Sequence, residues 1–299
     1  MPVNASAQDI KPEQFDHILK GISIPSPPQV LADLQMDLLQ PEPDLQAMAA
    51  TISKDVGLAG SVLKTVNSSF FGLPRQVTSI SHAVSLLGIN IIVNLVNAYY
   101  VRNEMLNQGL SKEDVAVMTR FWDSAIDVAN CAVLIAQQVH FPHRDKAYLL
   151  GLFHNAGIPL LKQRFPDYPA VQIAAYQQPE GYPTVVENAQ LNTSHQVMSY
   201  YVARTWKLPE DVCTLIHNHH NLERLGGNMD EDTRQLAAIL KLAEHIVGLY
   251  RVLGDQPVDH EWERIRGQML TDLGLNDDEL ADILSLAAEM GIGQQSYYM

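Results

Sequence analysis

Apolar residues return every three or four positions along nearly the whole chain, and no stretch shows the strict alternation of a half-buried strand. The pattern predicts an all-α protein. Phe15, Ile18, Leu19 and Ile22 predict a first short helix. A proline-marked turn, Pro25 to Pro28, precedes a helix through Val30, Leu31, Leu34 and Leu38 that Pro41 and Pro43 stop. Asp44 is placed to cap the next helix, through Leu45, Met48 and Ile52. Gly57 is expected to break that run, and Leu58 to Val66 forms another helix. Asn67 to Pro74 reads as a loop whose Phe70 and Phe71 plug the core. Ser79 or Ser81 opens a helix that ends at Gly88. In the helix from Ile89, Asn90, Asn94 and Asn97 form a polar stripe expected to face water or loop carbonyls. Ser111 and Asp114 resemble a capping box at the head of a long helix reaching about His140. Further helices are predicted over Asp145 to Asn155, Tyr168 to Gln178, the stripe Leu236 to Tyr250, Asp259 to Leu273 and Asp277 to Met290. Gly157 and Pro159 disturb the chain between the first two of these, and Pro179 to Pro183 is a loop.

The stretch from Leu191 to Asn221 reads as two helices and holds His195, His217, His219 and His220, four of the eleven histidines. Thr193 or Ser194 can cap the first helix, where His195, Met198 and Val202 share a stripe. Leu208-Pro209 ends it and starts the second, with Glu210 and Asp211 at the positive end of the helix dipole. There Val212, Leu215, Ile216 and His219 share one face, with His220 at its edge. Histidines gathered on apolar faces are either hydrogen-bonded core groups or metal ligands.

Composition narrows the class. The chain has 299 residues, 46% hydrophobic and 18% charged, as a folded globular protein has. A net charge of -14 and the lack of a basic run argue against direct nucleic-acid binding. Cys131 and Cys213 are too few for a disulfide framework, and a reducing compartment is the default. The N-terminus lacks a signal-peptide pattern, and the apolar run Gly88 to Val101 is too short to cross a bilayer. The expectation is a cytoplasmic protein that does not enter the membrane.

Two regions carry a family resemblance. The first is Ile24 to Gly88, with its prolines before a helix, Ile52-Ser-Lys-Asp55, Asn67-Ser68 and Ile80 to Gly88. It resembles the HDOD domain (HD-related output domain). The second is similar to the HD-superfamily phosphohydrolase core that such domains share. Phe121-Trp-Asp123 with Val128-Ala129 looks like its first motif, and Leu152-Phe-His-Asn-Ala-Gly157 like the segment of the eponymous His-Asp pair. His195, Trp206 to Pro209 and Ile216 to His220 look like the later histidine motifs, and Leu242 to His245 like the last acidic one. The resemblance implies a multi-helical HDOD fold over residues 15–222, with an N-terminal helical half (15–108) packed on an HD/phosphodiesterase-like half (109–222). The C-terminal helices of 223–299 would complete the second half.

The same resemblance places Ser124 where catalytic relatives have a histidine ligand, Asn155 where they have the aspartate, and Glu244 where they have a final Asp. Serine is a poor ligand, and asparagine keeps the shape of aspartate without its charge. The implied pocket is a vestigial one of Ser124, His154, Asn155, His195, His219, His220 and Glu244, with no catalytic residue assigned. The remaining ligand types, His154, His195, His219, His220 and Glu244, suit either no cofactor or a single divalent metal ion. The expected function is a non-catalytic or weakly catalytic signalling or scaffold module of a bacterial regulatory pathway, working with a separate protein partner. The alternative is a residual metal-dependent phosphohydrolase acting on a phosphate ester or nucleotide. A third option is a module that holds a small anionic ligand in the old cavity.

Overall fold

The computed structural model describes residues 22–68, 71, 73–106, 112–222 and 229–293. Among them there is no strand, so the fold is all-α as the periodicity predicts. The chain divides into a smaller unit, Pro25–Ala116, and a larger one that takes the chain from Val117 onward. The predicted helix at Phe15 to Ile22, Phe70 and the Ser111 end of the capping box lie outside the described residues.

The smaller unit contains α1 (Gln29–Leu38), α2 (Leu45–Ser53), α3 (Val56–Val66), α4 (Ile80–Leu87) and α5 (Ile89–Leu106). Local chemistry sets their starts: Asp44, Asp55 and Ser79 each accept from a backbone N–H of the first turn of α2, α3 and α4. The core is aliphatic, with Leu31, Leu34, Met48, Ile52, Leu58, Val66 and Ile92 fully buried. Asn67 ties the loop after α3 back to the chain. Its amide donates to the carbonyls of Leu63 and Val77, and its oxygen accepts from the Val77 N–H at 2.7 Å.

Two expectations need correction here. Gly57 does not break a helix; the break falls at Lys54-Asp55, and Gly57 sits inside α3. A Cβ there would lie 2.7 Å from the Tyr99 hydroxyl. The asparagine stripe of α5 is not solvated either: Asn90 is exposed, but Asn94 and Asn97 are buried. Helix α5 packs against α1, α3 and α4, which leaves it little open face.

The long helix α6 (Lys112–Gln138) enters the larger unit. There follow α7 (Arg144–Phe153), α8 (Ile158–Arg164), α9 (Tyr168–Tyr176), α10 (Pro183–Leu191), α11 (His195–Thr205), α12 (Glu210–Asn218), α13 (Glu231–Val247), α14 (Leu249–Val252), α15 (His260–Leu273) and α16 (Asp277–Glu289). Helix α7 is buried along most of its length and packs against α11, α12 and α13. Trp122, Phe153, Tyr168 and Trp206 are fully buried, and the rings of Phe153 and Trp206 meet at 5.9 Å.

Helices α8 and α10 are absent from the sequence reading. Pro159 and Pro183 mislead it, because proline breaks a helix interior but is tolerated in the first turn, where each of them lies. Asn192 ends α10 in the left-handed conformation, and Ser194 caps α11 two residues later. This tight reversal folds α10 back beside the start of α11.

Candidate metal-binding pocket

The pocket is assembled from helix ends in the larger unit. His154 closes α7, His195 opens α11, and His219 and His220 follow α12. Gly157 lets the turn after α7 approach α11: a Cβ on it would lie 2.5 Å from the Ser199 nitrogen and 2.6 Å from the His195 oxygen. The Gly157 N–H donates instead to the Ser199 hydroxyl at 2.8 Å. Gln196 secures the other side. With its amide oxygen toward the turn, it accepts from the His219 and His220 N–H groups at 3.0 and 2.7 Å.

All seven residues named from the sequence are buried. Four imidazoles gather. Ring centroids lie 5.3 Å apart for His154–His219 and His195–His219, 5.0 Å for His195–His220 and 4.3 Å for His219–His220. One ligand atom from each of His195, His219 and His220 lies within 4.8 Å of the others.

Hydrogen bonding fixes the tautomers. The Nδ1–H of His154 donates to the Gly151 carbonyl and that of His219 to the Ile216 carbonyl, both at 2.7 Å. A carbonyl can only accept, so each proton sits on Nδ1. His195 Nδ1 donates to Glu187 at 2.7 Å, and His220 Nδ1 to Glu261 at 2.6 Å. In the neutral form of each ring, Nε2 is therefore left with a lone pair. Those of His195 and His219 face each other at 3.4 Å, and that of His220 is buried with no hydrogen-bond partner. Imidazoles anchored through one nitrogen to a carboxylate or carbonyl, with the other nitrogen bare, form the arrangement that supports metal ligation. Burial, followed by their neighbouring cations and imidazoles, pushes His219 and His220 well below the usual histidine range, which keeps both neutral.

The residues of the central pair behave differently. Asn155 donates its amide to His154 Nε2 at 2.8 Å, and its Oδ1 is buried without a hydrogen-bond partner. Glu244 Oε1 lies 3.3 Å from the same His154 Nε2. Ser124 is buried on α6, where its hydroxyl donates to the Phe121 carbonyl at 2.7 Å. The nitrogens of His195, His219 and His220 form a donor set that could hold a divalent ion.

Three charged residues that the sequence reading passed over complete the site. Glu187 is 1% exposed; it anchors His195 through both Nδ1 and the backbone N–H, and accepts from the Tyr168 hydroxyl at 2.6 Å. It lies on α10, a helix that the reading lacked. Lys241, 4% exposed, pairs with Glu244 at 2.8 Å and with Glu261 at 3.0 Å. Burial opposes its charge, but Glu244 and Glu261 together raise its pKa and hold the ammonium. Burial likewise opposes ionisation of Glu244, yet Lys241 keeps its carboxyl well below the usual range. Periodicity gave no signal for Lys241, which lies on the far side of its helix from the stripe of Leu236, Ile239, Leu240 and Ala243.

A cleft of about 460 Å³ reaches His219 and His220, with Arg234, Arg264, Glu261 and Gln268 among its walls. His245 stacks on Trp262 with centroids 4.7 Å apart and pairs with Asp259 at 3.0 Å. Among the described residues, no helix is long and apolar enough to cross a membrane.

Comparison with known proteins agrees with this architecture. An uncharacterized protein of Treponema pallidum (strain Nichols) is 29% identical over 205 residues, covering 67% of this chain and 38% of that protein. The cyclic di-GMP phosphodiesterase CdgJ of Vibrio cholerae is 26% identical over 133 residues, covering 43% of this chain and 28% of CdgJ. The chain thus spans well under half the length of either relative. Over the whole fold, the crystal structure of an HDOD domain protein of unknown function from Geobacter sulfurreducens superposes with a TM-score of 0.70 at 20% identity, covering 95% of this chain and 96% of that one. The HDOD domain model matches residues 24–222, about two thirds of the sequence and the part that carries the histidine cluster, so this chain belongs to the HDOD domain family.

Proposed function

We propose that the chain is a non-hydrolytic signalling or scaffold module that keeps an HD-type pocket as a structural and sensing centre. The observation that carries this reading is the Asn155–His154 contact. A neutral amide donates to the imidazole at the position where a hydrolase of this kind requires an anionic oxygen. Ser124 supplies no ligand nitrogen, and the Glu244 charge is already engaged by Lys241. His195, His219 and His220 would hold a single divalent ion through their bare Nε2 atoms, with Glu244 and His154 beside it. Such an ion, when bound, supplies Lewis acidity and a cross-link between α11 and the end of α12. The output passes to a separate protein partner.

The cleft beside His219 and His220 favours one second reading. Arg234 and Arg264 on its walls suit a small phosphorylated ligand, and similarity to a cyclic di-GMP phosphodiesterase makes residual phosphohydrolase activity the alternative. Incubating the protein with cyclic dinucleotides and aryl phosphodiesters in Mn²⁺, Fe²⁺, Ni²⁺ or Zn²⁺ separates the two. The signalling reading expects no turnover above the protein-free control. Metal-dependent turnover that His154→Ala abolishes overturns it.

A further inference from the structure

The Lys241 side chain is an unusual occupant for the middle of a metal-type pocket. Its ammonium lies 2.8 Å from Glu244 Oε2, 3.0 Å from Glu261 Oε1 and 3.5 Å from His220 Nδ1. Two carboxylates flank one cation here, Glu244 buried and Glu261 half-buried, and such oxygens are donors that a hard or borderline divalent ion takes. A small cavity of about 40 Å³ borders Lys241, His220, Glu244, Glu261 and Tyr176, large enough for a water molecule beside that position.

Charge balance points the same way. Among the described residues, the charged groups paired with the four imidazoles are Glu187, Glu244 and Glu261, and Lys241 is the cation paired with two of these carboxylates. Three carboxylates against one ammonium leave two negative charges while the imidazoles are neutral. One divalent ion at the bare Nε2 atoms of His195, His219 and His220 brings that total to zero. A second would leave two buried positive charges uncompensated, which the interior opposes.

We propose that the Lys241 ammonium takes the place of a second divalent cation, so that the pocket combines one exchangeable metal ion with one built-in organic cation. This rests on the single-ion reading above and goes beyond it, because it assigns Lys241 the task of limiting the stoichiometry. The pocket then keeps the folded geometry of a two-cation centre while the position between Glu244 and Glu261 stays closed to metal.

Equilibrium dialysis of the full chain against Co²⁺, with metal counted by elemental analysis, tests this directly. Wild type is expected to bind one equivalent and to stop there, and Lys241→Ala to bind two. Lys241→Gln guards against a variant that does not fold, since its amide still donates to the surrounding carboxylates. It is expected to bind its ion at least tenfold more tightly, because a positive charge beside the site has been removed (a rough expectation for one charge at short range). A wild type that takes up two ions with Lys241 in place overturns the proposal, as do variants that match wild type in both number and affinity. A wild type that binds no ion removes the single-ion reading, and this inference with it. One ion in wild type and unchanged variants removes this inference alone.

Discussion

The Nε2 atoms of His195 and His219 face each other across 3.4 Å, a separation that one shared proton or one metal ion can bridge. The Glu187 carboxylate and the Ile216 carbonyl hold the protons on the opposite nitrogens. Two buried nitrogens so placed favour a positive centre, a proton or a metal ion, near both. Burial keeps His219 from answering with a proton of its own.

Metal should therefore stabilise the fold. Protein stripped with a chelator and returned to Co²⁺ or Zn²⁺ is expected to melt several degrees higher. An ion present at 100 times its Kd adds about 2.7 kcal/mol. His195→Ala and His219→Ala are expected to lose the gain. Differential scanning calorimetry with and without metal reads this, and an unchanged Tm in the wild type refutes it.

Glu187 sets the direction of His195 from a helix with no part in the histidine motifs. Glu187→Gln keeps the shape and an acceptor oxygen while removing the charge. It is expected to cost about 1–2 kcal/mol of stability and to weaken metal binding by roughly 10- to 100-fold. Glu187→Ala also strands the Tyr168 hydroxyl and the His195 N–H groups, at a cost of about 3–5 kcal/mol. Urea denaturation, followed by metal titration of the folded variants, measures both. A Glu187→Gln variant that matches wild type in stability and metal affinity counts against an electrostatic role.

Gly157 is needed for close approach, not for backbone freedom. In Gly157→Ala the new methyl meets the Met198 Cβ and the Ser199 nitrogen at 2.5 Å, so α7 and α11 must separate. The expected loss is about 3 kcal/mol, together with weaker metal binding as His154 and His195 move apart. A stability within 0.5 kcal/mol of wild type (roughly the limit for surface changes) shows that the contact can relax.

Asp127 offers a pH test away from the histidines. Burial raises its carboxyl pKa to about 6, the Gly293 N–H partly offsets this, and Asp123 adds to it. The folded state thus holds this proton more tightly than the unfolded chain does. Its stabilising effect is complete below the ordinary carboxylate pKa and is lost as pH rises through about 6. Asp127→Asn does not titrate and can still accept from Gly293. It is expected to gain about 1 kcal/mol on wild type at pH 8, with the gain shrinking towards pH 4. Urea melts at several pH values decide this, and a gain independent of pH rules out titration of Asp127 as its source.

The sequence by itself determined the fold class and most of the helices, because a 3.6-residue period with local caps such as Asp44, Ser79 and Ser194 is written in neighbouring residues. It also placed the histidines and Glu244 in one pocket, through motifs that each fit within a few positions. Only the tertiary structure decided what surrounds them. Glu187 meets His195, Glu261 meets His220, and Glu261 meets Lys241, contacts that join residues far apart in the chain. No local pattern can show that Lys241 is buried between two carboxylates, because one of them, Glu261, lies on another helix. The same reason hid the burial of Asn94 and Asn97, whose surroundings depend on how α5 packs rather than on their spacing along it.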